Sequence, residues 1–166
     1  MKWINHKIST FAITMLLTGN FAGSVIAAAG SIIPDAVEGH DYESERWRKN
    51  HRRLSHWLAG YIGVAIFLWS YLKFKLKINA LVFPVGKYIS LFSVFNSETL
   101  IYLLFYGGFF LSIGCILHVL EDALSSTVPV LHPTKRVFTL GLMRTGSPAE
   151  YLLSFSLLAG MLFFLK

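Results

Sequence analysis

Four apolar stretches, at about residues 8–33, 57–72, 100–120 and 151–165, constrain this chain more than any other feature of it. Each is apolar enough to form a helix that must be covered by protein or lipid nearly all round, and short polar connections join them. Of the 166 residues 54% are hydrophobic and only 14% charged, too few charges to clothe a water-soluble domain of this size. The same composition excludes a disordered chain. The expected architecture is an all-α, polytopic helical membrane protein with about four membrane-embedded segments, forming a single domain over residues 1–166. A fifth apolar stretch, about 80–95, carries Pro84 and Lys87 in its middle and is expected to lie at the interface or to re-enter rather than cross.

The first stretch is interrupted by Gly19 and Asn20, which predicts two short helices, about 8–18 and 21–33, folded as a hairpin inside a helical bundle. Lys2, Lys7 and the small run Ala27-Ala28-Ala29 also describe a cleavable signal peptide, against which the Gly19-Asn20 interruption argues. The choice matters for His6, which returns to the same membrane face as Asp35 only in the hairpin.

Fifteen Lys and Arg residues against nine Asp and Glu leave a net charge of +6. On an apolar chain this excess points to cytoplasmic loops and anionic headgroups, with membrane lipids as partners and no nucleic acid. A homo-oligomer or a membrane complex stays open. Cys115 is the single cysteine, so neither an intrachain disulfide nor a thiolate zinc cage can form, and a metal would need His and carboxylate ligands.

All six histidines (His6, His40, His51, His56, His118 and His132) fall at the ends of apolar stretches or in the polar connections. With the 80–95 stretch not crossing, Asp35 after the first stretch, His56 at the start of the second and His118 with Asp122 at the end of the third all face one side. The sharpest local pattern is His118-Val-Leu-Glu-Asp122, where a spacing of four stacks an imidazole and a carboxylate on one helix face. Such a pair can bind a divalent cation, or it can be a hydrogen bond that ties the bundle. Glu121 points about 100° away, a weaker ligand and a candidate base.

In His51-Arg-Arg-Leu-Ser-His56 the two rings can share a metal only if a helix begins between them, with Ser55 as the N-cap; the same residues also read as a basic collar for lipid phosphates. In Ser31-Ile-Ile-Pro-Asp35 the proline suits a helix ending as it leaves the membrane. Thr145-Gly-Ser-Pro-Ala-Glu150 reads as a turn and a Ser147/Glu150 capping box opening the last helix.

These pieces in this order, a helix bearing His6, then Ile-Ile-Pro-Asp35, His51-Arg-Arg-Leu-Ser-His56, His118-x3-Asp122, Leu131-His-Pro and Thr145-Gly-Ser-x2-Glu150, resemble the YdjM-like family of bacterial inner-membrane, metal-dependent hydrolases. The family pattern is an N-terminal His, Leu-Pro-Asp-Ile-Asp-His, His-Arg-Gly-x-Thr-His-Ser, and His-x3-Asp followed by a Trp-Pro turn. This chain departs from it at Val37, where the family has its second Asp, with Glu38 one place later and His40 displaced, and also at Arg53 and Trp57. The resemblance implies that His6, Asp35, His51, His56, His118 and Asp122 are metal residues. The ion would be zinc or manganese, both compatible with N/O ligands. The family is also distantly similar to zinc-dependent phospholipases C, which implies phosphoester chemistry at a membrane surface.

The functional expectation is therefore a membrane-bound metal-dependent hydrolase acting on a phosphoester or lipid-like substrate. Glu121 or Glu38 would take a proton, and Arg52 and Arg53 would hold an anionic headgroup. The alternative is a non-enzymatic scaffold or assembly subunit with a degenerate metal site.

The expected localisation is the bacterial inner membrane. With the hairpin, Lys2, Lys7 and the basic residues of both polar connections share the motif face, against Lys73, Lys75, Lys77, Lys87 and Lys166 opposite, which makes the motif face cytoplasmic. A Ser44→Cys variant is therefore expected to react with a membrane-impermeant maleimide in inverted vesicles and not in intact cells; labelling in intact cells would reverse the orientation.

Overall fold

A computed structural model describes residues 1–39, 53–75 and 97–165. The described chain is mostly helical. Helix α1 spans Trp3–Thr18, α2 Phe21–Gly30 and α3 Ile33–Glu38. After a 3-10 turn at Leu54–His56 come α4 at Leu58–Ser70, which runs into a π-turn at Tyr71–Lys75, α5 at Ser97–Ala123, strands β1 at Val128–Pro129 and β2 at Arg136–Phe138, and α6 at Pro148–Phe164. The strands form a small antiparallel hairpin pairing Val128 with Phe138 and Pro129 with Arg136. The 80–95 stretch lies outside the described residues.

The first apolar stretch is two helices packed against each other. Gly19 ends α1 in the left-handed conformation (φ 62°), which glycine adopts without steric cost. Asn20 then opens α2 by accepting a hydrogen bond from Gly23 N at 2.9 Å. Its amide donates to Tyr106 Oη at 2.7 Å, tying the turn to α5. Helix α1 begins at Trp3, earlier than the apolar stretch suggests, so His6 sits inside the helix. Pro34 does not end a helix as expected. It occupies the first turn of α3, where its fixed φ is favourable and its missing N–H costs nothing.

Helix α5 is the axis of the bundle, with α2 and α4 packed along it and α1 between α2 and α6. The α2 contact depends on small residues. Gly23, Ala27 and Ser31 recur every fourth residue and face α5, the spacing that lets membrane helices approach closely. A Cβ on Gly114 would stand 2.8 Å from Ser31 N, and one on Gly30 would stand 2.7 Å from Leu111 Cα. Tyr102, Tyr106, Phe109 and Phe110 fill the space beside this crossing, and a second core of Leu58, Val119, Ala123 and Val128 lies beneath the hairpin.

The polarity of the bundle is inverted relative to a water-soluble protein. Asn5, His6, Ser9, Thr10 and Thr14 of α1 are buried, and Ser9 Oγ bonds Ser154 Oγ of α6 at 3.0 Å. Leu17, Phe67, Leu104, Leu152, Phe163 and Phe164 face outward. Residues 21–38 and 99–123 are long and apolar enough to cross a membrane, and Pro148–Phe164 is a shorter apolar helix.

The close α2–α5 crossing carries a test. Gly114→Val should destabilise the protein by about 1–3 kcal/mol through overpacking. Gly107→Ala, where an added Cβ meets nothing within 4 Å, should not lower the detergent melting temperature.

Candidate metal centre

Four elements bring their polar residues to one end of the bundle. The last turn of α5 supplies His118, Glu121 and Asp122, the first turn of α3 supplies Asp35, and the 3-10 turn ahead of α4 supplies His56. His6 comes from α1, and Glu38 closes α3. His6, His56, His118, Glu121 and Asp122 are buried among apolar helices, and Asp35 is partly buried.

Two imidazole nitrogens lie close together, each with carboxylate oxygens of Asp35 and Asp122 nearby. His56 Nε2 lies 3.1 Å from His118 Nε2, 3.4 Å from Asp35 Oδ1 and 3.6 Å from Asp122 Oδ2. His118 Nε2 lies 3.6 Å from Asp35 Oδ1 and 3.8 Å from Asp122 Oδ2. Ligands about 2.0–2.2 Å from a tetrahedral ion stand roughly 3.3–3.6 Å from one another, so Asp35, His56 and His118 have spacings that fit one ion, with Asp122 Oδ2 beside both imidazoles. The expected pairing of His118 with Asp122 across one helical turn is part of this arrangement.

A second group, His6, His118 and Asp122, adjoins the first and shares two of its residues. The His6 and His118 rings stack at 3.9 Å, and His6 Nε2 is 3.4 Å from Asp122 Oδ1, an oxygen that also pairs with the Met1 amino group.

The supporting shell is specific. Glu121 Oε2 takes His6 Nδ1 at 2.6 Å while its Oε1 accepts from Thr10 Oγ1 at 3.3 Å, so this carboxylate orients His6. Trp3 Nε1 donates to Asp35 Oδ2 at 2.9 Å and leaves Oδ1 turned to the cluster. Ser55 is not the N-cap of α4. Its hydroxyl donates to Glu38 and lies 2.9 Å from His56 Nδ1, and Glu38 Oε1 lies 3.2 Å from the same nitrogen.

The electrostatics favour positive charge at this point. Burial by itself would lower the pKa of His56, but the carboxylates of Asp122, Asp35 and Glu38 around the ring push it up to about 10. Carboxylates gathered in an apolar bundle are costly unless a cation compensates them.

A cavity of about 590 Å3 opens beside the cluster, lined by Glu38, Arg53, Leu54, Ser55, Tyr61 and Thr134 among others. Arg53 Nε is buried there without a hydrogen-bond partner among the described residues. Val37, which stands where the family has its second Asp, is 72% exposed on the same cavity wall, and the carboxylate that reaches His56 is that of Glu38. His51 and Arg52 lie outside the described residues. His132 is exposed and bonds Thr134 rather than the cluster.

Sequence reading missed Thr10, Trp3 and the role of Ser55. Thr10 was findable as the residue four after His6, on the same helix face. Glu150 also departs from expectation, because Ser147 makes no side-chain cap. The Glu150 carboxylate instead accepts from Lys2 N and Asn5 Nδ2, each at 2.5 Å, and from Gly146 N at 2.6 Å, clasping the start of α1 to α6.

Residues 1–165 match the family described as YdjM inner membrane protein. The chain belongs to this family. No curated protein and no solved structure matches it. Membership places a YdjM chain in the inner membrane, in keeping with apolar helices around a polar interior.

Glu150→Gln removes the charge from an acceptor of three N–H groups, and a hydrogen bond to a charged group contributes about 1.5–3 kcal/mol. This variant should melt several degrees lower; an unchanged melting temperature would show that the clasp is not needed.

Proposed function

We propose that this YdjM chain is a polytopic inner-membrane hydrolase with one divalent ion, zinc or manganese, held by Asp35, His56, His118 and Asp122. The observation that carries this reading is the grouping of Asp35, His56 and His118 at metal-ligand spacings, with Asp122 Oδ2 within 3.8 Å of both imidazole nitrogens. Bound there, the ion supplies Lewis acidity toward a phosphoryl oxygen and lowers the pKa of water. His6, fixed by Glu121, stands at the edge of the site and extends it toward Asp122.

The proposed substrate is a phosphoester with lipid character. Arg53, on the cavity wall with an N–H that has no partner among the described residues, binds its anionic oxygens, and Arg52 adds a second guanidinium. Glu38 lines the same cavity and accepts the proton of the attacking water, while Ser55 holds its carboxylate against His56. Leu54 and Val37 supply an apolar wall for the rest of the substrate. In this reading the chain is one domain with four membrane-embedded segments, the first a hairpin, and the metal face is cytoplasmic.

Elemental mass spectrometry on detergent-purified protein tests the assignment. Near-stoichiometric zinc or manganese is expected in the wild type and should be lost from folded His118→Ala and Asp122→Ala. Chelation should abolish release of headgroup or phosphate from mixed bacterial phospholipids, and adding the ion back should restore it. Folded wild type that takes up neither ion would leave the scaffold reading in its place. Metal bound without turnover in the presence of the ion would reject the hydrolase and keep the site.

A further inference from the structure

We infer that the hairpin segment 131–142 is a docking surface for an anionic lipid leaflet, seated among headgroups with its apolar side chains inserted. Leu131 is 81% exposed, Val137 73% and Leu142 71%, and Leu140 and Phe138 are exposed beside them. Scattered surface leucines need no explanation, but five large apolar side chains within twelve residues form a patch of the kind that marks an interaction site.

The segment holds these side chains outward on a fixed backbone. Leu140 N and Leu142 N donate to Ala123 O and Leu124 O at 2.7 and 2.8 Å, anchoring the returning strand to the end of α5. Thr139 Oγ1 adds a bond to Ala123 O at 3.2 Å. On the other side Ala59 N donates to Val130 O at 3.0 Å and Trp57 Nε1 to Leu131 O at 3.0 Å, anchoring it to the start of α4. With the backbone satisfied in this way, the exposed side chains are a built surface rather than a loosely packed core.

Charge selects the occupant. From residue 123 to residue 149 the chain has no Asp or Glu, while Lys135, Arg136 and Arg144 lie within this span. Lys135 and Arg144 are exposed. Basic residues interleaved with exposed apolar ones match a surface of anionic headgroups over acyl chains. Position agrees, because the segment leaves α5 at Ala123 and enters α6 at Pro148, two apolar helices of a protein in the inner membrane. Pro133 and Thr134 of the same segment line the cavity beside the metal centre, so a seated hairpin holds the cavity mouth at headgroup depth. The inference stands whether or not the centre is catalytic.

The test uses the full chain with Cys115→Ala and a single cysteine at Val137 or Leu142, labelled with an environment-sensitive nitrobenzoxadiazole dye. The protein is placed in nanodiscs of phosphatidylcholine, alone or equimolar with phosphatidylglycerol, with and without lipids carrying a nitroxide just below the headgroup. Blue-shifted emission and loss of most of the signal to the nitroxide are expected in the phosphatidylglycerol discs. Smaller losses are expected in phosphatidylcholine alone and in a Lys135→Glu/Arg144→Glu background. Red-shifted, unquenched emission in both lipids would overturn the inference. So would dye-to-dye energy transfer between labelled copies without nitroxide quenching, which would assign the patch to a second copy of the chain. Equal quenching in both lipids and in the charge-reversed background would overturn the anionic selectivity.

Discussion

The structure turns on a cluster of imidazoles and carboxylates enclosed at one end of an apolar bundle. Asp35, Glu38, Glu121 and Asp122 gather around His6, His56 and His118 within hydrogen-bonding or ion-pairing distance of one another. In a low-dielectric interior these groups are tolerable only when each charge is met by an opposite charge or a hydrogen bond. Much of the surrounding architecture meets that demand. Trp3, Thr10 and Ser55 each spend a hydrogen-bonding group on one of the carboxylates, and Asp122 faces His118 and His56 with one oxygen and His6 with the other.

Bringing four elements to one point requires the helices to sit closer than ordinary side chains allow. The α2–α5 crossing achieves this with Gly23, Ala27, Gly30, Ser31 and Gly114, so that α3 emerges next to the last turn of α5 and carries Asp35 to His118. The Gly19–Asn20 turn does the corresponding work for α1 by reversing the chain and returning His6 to the face where Asp35 lies. The glycine positions and the clustered His and Asp positions are therefore parts of one design, the first setting the helix spacing that the second needs.

Much of the candidate site was legible in the sequence because its residues occur at chemically telling spacings. His118 and Asp122 are one helical turn apart, and His6 and Thr10 repeat that interval. Gly19-Asn20 inside an apolar stretch is a break that hardly any other residue pair would make so clearly. The assignments that changed were those in which a polar side chain had two local options. Ser55 and Glu150 both look like capping residues, and local sequence cannot show that Glu38 or Asn5 lies nearer than the cap. Val37 reads as a lost ligand until α3 places Glu38 toward His56 instead.

The sequence by itself determined that the chain is helical, apolar outside, hinged at Gly19, and equipped with histidines and carboxylates at the ends of its apolar stretches. Those properties follow from periodicity, residue chemistry and backbone freedom, all of which act within a few residues. Only the tertiary structure decided which of these residues meet. The distances between Asp35, His56 and His118 depend on helix crossings set by side-chain volume far along the chain, and no local rule encodes them. The outward face of the 131–142 hairpin was decided in the same way, by backbone hydrogen bonds to α4 and α5 that leave its apolar side chains nowhere to turn but out.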